Sequence, residues 1–235
     1  MKRISMFVAF LWLGIMGASA QSNKFDLNDD GKVNVSDVTL LITYILGQDN
    51  GGNTHQAVDL GLPSKTKWAS CNVGATKPEE YGGYYAWGET EEKEVYNEST
   101  YKYYQNGSWV SLGSDISGTE YDVAHVKWGG NWRMPTHDEQ MELLNNCTSE
   151  WTTLNGVNGR KFTSNINGNS IFLPAAGCRW YCDLYYAGSY GYYWSSAQNP
   201  YYSGNACYLY FNSGYAEWDY FYRSSGRSVR PVVRN

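Results

Sequence analysis

The stretch WRMPTHDEQMELLNN at residues 132–146 decides where the main helix of this chain lies. Thr136 is followed three residues later by Glu139, the spacing of a capping box in which each side chain bonds the other residue's backbone N–H. Apolar residues, among them Leu143, then recur at helical spacing. The pattern predicts a helix that begins after Thr136 and ends near Asn146.

Short elements flank this helix on both sides. Residues 122–128 predict a second, shorter helix, and the apolar run at 170–174 predicts a strand. Residues 57–63 and 67–73 predict two short strands around a turn. Residues 76–79 predict a third helix start, because Thr precedes Glu by three residues. Few long periodic runs occur between these elements, which indicates a loop-rich α+β fold.

The composition agrees with a loop-rich globular domain and excludes some classes of partner. Aromatic residues and charged residues each make up 17% of the chain, and 25 of its 235 residues are glycine. This mixture suits a folded chain of short strands and not a disordered tail. The net charge is −5 at pH 7. Such a charge argues against binding to nucleic acid or to an anionic membrane.

Residues 1–20 have the pattern of a secretory signal peptide. Lys2 and Arg3 precede an apolar run, and small residues at 17–20 supply a cleavage site. The apolar run is short for a transmembrane helix, although an uncleaved anchor is the alternative. We therefore expect an exported protein, secreted or held at the cell surface, with no membrane span after signal cleavage.

Residues 24–47 are predicted to form a calcium loop followed by a helix. Oxygen ligands fall at the spacing of a 12-residue calcium loop, and Gly31 lies where the chain must turn sharply. An apolar series from Val38 to Leu46 predicts the helix, which Gly47 ends. The candidate calcium ligands are Asp26, Asn28, Asp30, the backbone carbonyl of Lys32, Asn34 and Asp37.

This loop and helix resemble one repeat of a type I dockerin. A complete dockerin has two such repeats, and the sequence shows no second one. The resemblance implies bound calcium and a cohesin-like partner. A calcium-stiffened spacer without a protein partner is the alternative. The polar, glycine-rich residues 48–54 predict a flexible linker to the remaining domain, residues 55–235.

A series of motifs follows in order through residues 55–235. They are AVDLGLPS at 57–64, WASCNVGA at 68–75, YYAWGET at 84–90, WRMPT at 132–136, FLPAAG at 172–177, YWSS at 193–196 and SVRPV at 228–232. The set resembles the Fibrobacter succinogenes major paralogous domain, which is common in gut Bacteroidetes. The resemblance implies a C-type-lectin-like fold, an α+β domain with short antiparallel sheets, two or three helices and long loops.

Residues 178–230 contain 13 of the 22 tyrosines of the chain. Many are adjacent in sequence and show no single period, so they cannot all point inward from strands. Alternation near Leu209 and Phe211 predicts that these two face the core while Tyr208 and Tyr210 face outward. A surface rich in Tyr, Ser, Asp and Gly is typical of a recognition surface. The alternative is that the aromatic rings fill a glycine-rich core. The candidate ligand-contacting residues are Tyr181, Asp183, Tyr185, Tyr186, Tyr190, Tyr201, Tyr202, Tyr208, Tyr210, Tyr215, Asp219, Tyr220 and Tyr222.

The residue types in this segment resemble those of the variable proteins of diversity-generating retroelements. Tyr, Asp, Ser, Cys, Gly, Phe and Ala are all reachable from an AAC codon by changes at its adenines. The resemblance implies a diversified ligand-binding face on a fixed lectin-like scaffold. Cys178, Cys182 and Cys207 are then chance products of mutagenesis, and a disulfide between any two of them would count against the idea.

Three functions are compatible with these patterns. We predict an exported, non-catalytic protein that binds an unidentified protein or glycan through the tyrosine-rich segment. One alternative is a dockerin-bearing, glycan-binding component of a polysaccharide-degrading complex. The other is a lectin-fold enzyme, because formylglycine-generating enzymes share a lectin-like fold and use paired cysteines. Cys178 and Cys182 are four residues apart with no base placed beside them, which disfavours that alternative.

Overall fold

The computed structural model describes residues 55–234. The chain divides into two units between Gly52 and Asn53, and the described residues belong to the second unit. The predicted signal peptide and the six candidate calcium ligands lie outside the described residues. Among the helices of the described part, none has the length and apolarity needed to cross a membrane.

The described residues form two helices and many short strands. The helices are α1, Val123–Trp128, and α2, His137–Asn146, with a 3-10 turn at Glu98–Thr100. The strands are β1 Ala57–Val58, β2 Lys67–Ala69, β3 Tyr104–Gln105, β4 Ser108–Trp109, β5 Trp132–Arg133, β6 Cys147–Leu154, β7 Val157–Ser164, β8 Ser170–Pro174, β9 Cys178–Trp180, β10 Asp183–Tyr185, β11 Gly191–Gln198, β12 Asn205–Phe211, β13 Ala216–Tyr222 and β14 Val232–Val233. Small antiparallel sheets with few helices agree with the predicted α+β, loop-rich class.

Two three-stranded antiparallel sheets dominate the domain. We call β6–β7–β8 the scaffold sheet and β11–β12–β13 the aromatic sheet. Phe162 of the scaffold sheet and Phe211 of the aromatic sheet are both fully buried, with ring centroids 6.2 Å apart. Leu143 of α2 packs into the same core cluster. The other face of the aromatic sheet contributes Trp194 and Tyr208 to a second cluster.

A four-stranded sheet joins distant parts of the chain in the order β1–β2–β14–β5. Val232 of β14 lies opposite Trp68 of β2 on one side and Arg133 of β5 on the other. Both neighbouring strands are antiparallel to β14. Residues near the two ends of the described segment are therefore bonded to each other.

The two helices predicted at 122–128 and after Thr136 are confirmed. The Thr136 hydroxyl accepts from the Glu139 N–H at 3.2 Å, and the Glu139 carboxylate accepts from the Thr136 N–H at 2.9 Å. Asp122 caps α1 by accepting from two backbone N–H groups of its first turn. Caps succeed as predictors here because both partners are close in sequence.

The prediction of a third helix that starts at residues 76–79 is wrong. Glu80, and not Glu79, accepts from the backbone N–H and the hydroxyl of Thr76, at 2.8 and 3.1 Å. Glu79 instead accepts from the Asn155 side chain. The capping pair is therefore never made, and the segment forms turns.

The strand predicted at 170–174 is confirmed as β8, while the predicted strands at 57–63 and 67–73 are shortened to β1 and β2. β1 ends where the Asp59 carboxylate accepts from the N–H of Gly61, whose φ of 64° is left-handed. β2 ends where the Arg230 guanidinium takes the carbonyls of Ala69 and Ser70.

Candidate functional site

The predicted ligand-contacting residues differ in exposure. Nine are exposed, and they are Tyr181, Asp183, Tyr185, Tyr186, Tyr201, Tyr202, Tyr215, Asp219 and Tyr222. Tyr190, Tyr210 and Tyr220 are half-buried, and Tyr208 is buried. The core-filling alternative holds for Tyr193, whose hydroxyl donates to the Pro174 carbonyl at 2.6 Å inside the core.

The alternation predicted for β12 is correct in direction, but its consequence for Tyr208 is wrong. Leu209 and Phe211 are fully buried in the first core cluster, as predicted. Tyr208 points to the opposite face yet is only 6% exposed, because Trp194 and Arg227 cover its ring. Tyr210, on the same face, is half-buried and donates from its hydroxyl to Glu217 at 3.1 Å.

A cleft of about 400 Å³ opens beside the aromatic sheet. The hairpin β9–β10 forms one wall, and strands β11, β12 and β13 form the other. The residues that line it are Cys178, Trp180, Tyr185, Tyr186, Tyr192, Tyr208, Phe221, Ser225 and Arg227. Its volume falls within the range of small-ligand sites. We call it the aromatic cleft.

The structure brings only some of the predicted residues to this cleft. Tyr185, Tyr186 and Tyr208 line it. Tyr181 and Tyr222 line a neighbouring hollow instead. Tyr190, Tyr210 and Tyr215 continue a row of contacting rings away from Tyr186 and Tyr192. The remaining five, Asp183, Tyr201, Tyr202, Asp219 and Tyr220, line neither the cleft nor that hollow.

Arg227 lies within a cage of aromatic rings in the aromatic cleft and is 2% exposed. The centre of its guanidinium lies 3.7 Å from the ring centroid of Tyr208 and 4.9 Å from those of Tyr192 and Phe221. Such stacking is a favourable cation–π arrangement. Burial lowers the pKa of Arg227 from its ordinary value. The backbone is held by paired bonds to Tyr85, of 2.9 and 3.0 Å.

Sequence reasoning did not name six of the cleft residues as ligand contacts: Cys178, Trp180, Tyr192, Phe221, Ser225 and Arg227. One signal could have found Tyr192, because it lies two residues before Trp194 and therefore shares its face of β11. Arg227 carried a weaker signal, as an arginine in a run of small and apolar residues. Its location depends on contacts with distant rings, which no local pattern encodes.

The cysteines are all free thiols, so no disulfide links Cys178, Cys182 and Cys207. Burial raises the pKa of Cys178, and it raises that of Cys207 to about 12. A raised pKa keeps the thiol protonated, whereas a nucleophilic cysteine needs an accessible thiolate. Cys182 is exposed on the turn between β9 and β10.

Two family models match the chain. Residues 24–61 match the type I dockerin domain, and residues 143–232 match a domain of unknown function, DUF8237. The second match runs from α2 to β14 and includes every residue of the aromatic cleft. No curated protein and no solved structure matches the chain.

The dockerin match, over residues 24–61, confirms the predicted dockerin-like region. Type I dockerin domains bind calcium, and the carboxylate and amide oxygens at positions 26–37 are suitable ligands for that ion. Dockerins typically bind cohesins and occur in extracellular proteins. The chain therefore combines a type I dockerin region with a domain whose aromatic cleft lies inside a match to a family of unknown function.

Proposed function

We propose that this protein is an exported, non-catalytic ligand-binding component of a cohesin-bearing complex. The dockerin region attaches it through calcium, and the aromatic cleft with its exposed tyrosines binds the ligand. We further propose that residues 55–235 are a C-type-lectin-like major paralogous domain. The small antiparallel sheets, two helices and long loops support that assignment.

The exposure of aromatic side chains within one segment of the chain carries the proposal. Large exposed apolar side chains concentrate between residues 181 and 222, and they are mostly Tyr, with Leu184, Trp218 and Phe221. Tyr185 and Tyr186 of this segment line the aromatic cleft and are 40% and 59% exposed. Exposed apolar surface of this extent is unfavourable in water and marks binding sites. Tyrosine provides large contact area at low entropic cost.

A binding screen with the full-length chain tests the ligand-binding role. Immobilised glycans and candidate proteins are both presented, because the composition of the cleft suits either. The double variant Tyr185→Ala/Tyr186→Ala should lower affinity at least about tenfold, since both rings line the cleft. Ile166→Ala, which removes a 56% exposed apolar side chain between β7 and β8, is the matched control. Unchanged binding by the double variant would refute a ligand site at this cleft.

The docking role is tested by calcium removal. Capture by an immobilised cohesin should be lost in a chelator and restored by added calcium, because the loop ligands fold around the ion. The variant Asp26→Ala/Asp30→Ala should lose capture at all calcium concentrations. Ligand binding at the cleft should persist in both cases. Cohesin capture that persists in the chelator would contradict docking through this loop.

The origin of the tyrosine-rich face forms a second proposal, namely diversification by a retroelement. Its support is that nine of the thirteen candidate positions are exposed. Sequencing the gene and its flanks tests it. AAC-derived codons at these positions, with a near-copy of the segment beside a reverse transcriptase, are the expected result. Ordinary codons without a template copy would leave a fixed binding face.

A further inference from the structure

Arg227 differs from the other buried arginines of the described domain. Four arginines are less than 9% exposed, and they are Arg160, Arg223, Arg227 and Arg230. In Arg230 every guanidinium nitrogen donates to a buried oxygen, at 2.8–3.0 Å. The nitrogens of Arg223 donate to the Tyr101 hydroxyl and to backbone carbonyls, and those of Arg160 are likewise bonded. These three arginines serve the fold.

Two donors of Arg227 have no such partner. Its Nε and Nη1 atoms are buried and make no hydrogen bond within the part of the chain that the structure describes. No carboxylate of that part forms an ion pair with it either. A buried charged donor without a partner is unfavourable, so native proteins leave such groups only where something else satisfies them.

The rings around Arg227 leave its Nε and Nη1 atoms without a hydrogen-bond acceptor. Cation–π contacts occupy the flat faces of a guanidinium, whereas its N–H donors lie in the plane at the edge. The stack on Tyr208 is close, at 3.7 Å, yet Nε and Nη1 remain without acceptors. Arg227 nevertheless lines the aromatic cleft, so its positive charge lies beside any ligand bound there.

The chemistry of that ligand follows from the charge of Arg227 and from the walls of the cleft. A guanidinium attracts a carboxylate, and its N–H donors form strong, charge-assisted hydrogen bonds to carboxylate oxygens. The walls are aromatic rings, which stack on the C–H face of a pyranose, while the tyrosine hydroxyls can bond sugar hydroxyls. A flexible acidic side chain has no comparable flat apolar face.

We propose that the aromatic cleft binds a uronic acid residue of a glycan, with Arg227 holding the carboxylate and the surrounding rings stacking on the sugar. This proposal rests on the ligand-binding function proposed above and names its substrate class. Arg227 is then the residue that determines specificity for an acidic sugar over a neutral one. A carboxylate-binding arginine stays charged throughout the physiological pH range, so recognition does not depend on protonation of the protein.

Matched sugars on the unaltered full-length chain provide the first test. The methyl glycosides of glucuronic and galacturonic acid are compared with those of glucose and galactose by tryptophan fluorescence, since Trp180 lines the cleft. Each acid differs from its neutral partner only at the sixth carbon. At least one acid should bind about tenfold to a hundredfold more tightly than its neutral partner. Equal affinity, or no binding of either acid at millimolar concentration, would overturn the proposal.

The variant Arg227→Gln tests the residue itself. It should reduce the affinity for the acid to that of the neutral sugar while leaving the neutral sugar unchanged. Arg179→Gln is the control, because it removes the same charge from β9 without altering a residue that lines the cleft. A thermal melt verifies that each variant is folded. The comparison of sugars on the unaltered chain tests the proposal even if a variant fails to fold.

Two further outcomes separate this inference from the function on which it rests. N-acetyl-aspartate methylamide serves as the acidic amino-acid probe, and tighter binding of this probe than of the uronides would overturn the sugar assignment. If other ligands bind and the Tyr185→Ala/Tyr186→Ala variant loses them, while acid and neutral sugars bind equally, the ligand-binding function stands and the uronic acid specificity fails.

Discussion

The scaffold sheet and the aromatic sheet have the same strand arrangement but differ in the side chains that they expose. Both are three-stranded and antiparallel, and each buries phenylalanine in the shared core. The exposed positions of the scaffold sheet are polar, such as Thr148, Glu150 and Lys161. Strand β13 of the aromatic sheet instead exposes Trp218, Phe221 and Tyr222. The architecture itself therefore does not require exposed aromatic rings, which agrees with the ligand-binding role proposed for the rings of the second sheet.

The comparison predicts that stability depends on the inner faces of both sheets and binding on the outer face of one. Phe162→Ala should cause the largest loss of stability. The ring is fully buried between the two sheets, and its removal leaves a cavity costing about 3–5 kcal/mol of unfolding free energy. Denaturant unfolding measures the change. A loss below about 1 kcal/mol would mean that the two sheets do not share a packed core.

Gly191→Ala should have the next largest effect. It tests whether the inner face of the aromatic sheet is as tightly packed as that of the scaffold sheet. A Cβ atom at Gly191 would lie 2.2 Å from the ring of Phe211. Overpacking of this kind costs about 1–3 kcal/mol. The same denaturant series measures it, with Gly214→Ala as a control. Neither glycine has a positive φ, and the nearest atom to a Cβ at Gly214 lies 3.3 Å away. An equal loss in both variants would argue against tight packing at Gly191.

Thr136→Ala should weaken the helix that contacts both sheets. Helix α2 packs against β6 and β7 of the scaffold sheet and against β11 and β12 of the aromatic sheet. The substitution removes the hydroxyl that accepts from the Glu139 N–H, at a cost of about 1 kcal/mol. Thr136→Ser should retain most of that stability, because its hydroxyl can make the same bond. Equal losses in the Ala and Ser variants would show that the cap does not carry the effect.

Tyr186→Ala should have the smallest effect on stability of the four substitutions. It is also the most direct test of whether binding at the cleft is separate from the stability that the inner faces provide. The side chain is 59% exposed, and its φ of 60° costs alanine as much as tyrosine. The unfolding free energy should change by no more than about 0.5 kcal/mol. Ligand binding should nevertheless weaken, as measured in the screen above. A large loss of stability would show that the rim of the cleft belongs to the folded core.

Local signals in the sequence predicted the elements, while the site depended on tertiary contacts. The capping pair of Thr136 and Glu139 was sufficient to place α2, because both partners lie within one turn. At residues 76–80 the same logic failed, since Glu80 and Asn155 competed for the capping groups. The dockerin region was predictable because its calcium-loop motif falls within twelve residues, while the six candidate ligands remain a prediction.

The position of Tyr208 shows why exposure could not be predicted from alternation. The alternation correctly predicted which face of β12 Tyr208 occupies. Its burial depends on the packing of Trp194 and Arg227 over that face. Arg227 and Arg230 are three residues apart in one apolar run, yet one is fully hydrogen-bonded and the other is not. That difference depends on which distant carbonyls reach each guanidinium, and it is absent from the sequence pattern.

The position of β14 in the four-stranded sheet has a consequence for the order of synthesis and folding. Because β14 lies between β2 and β5, an interior position of the sheet is filled by a strand that leaves the ribosome roughly 160 residues after β2. Until then, β2 and β5 have no strand between them to hold their register. Synthesis of most of the chain therefore precedes the completion of this sheet, and a chain that loses Val232 and Val233 would lack the strand that closes it.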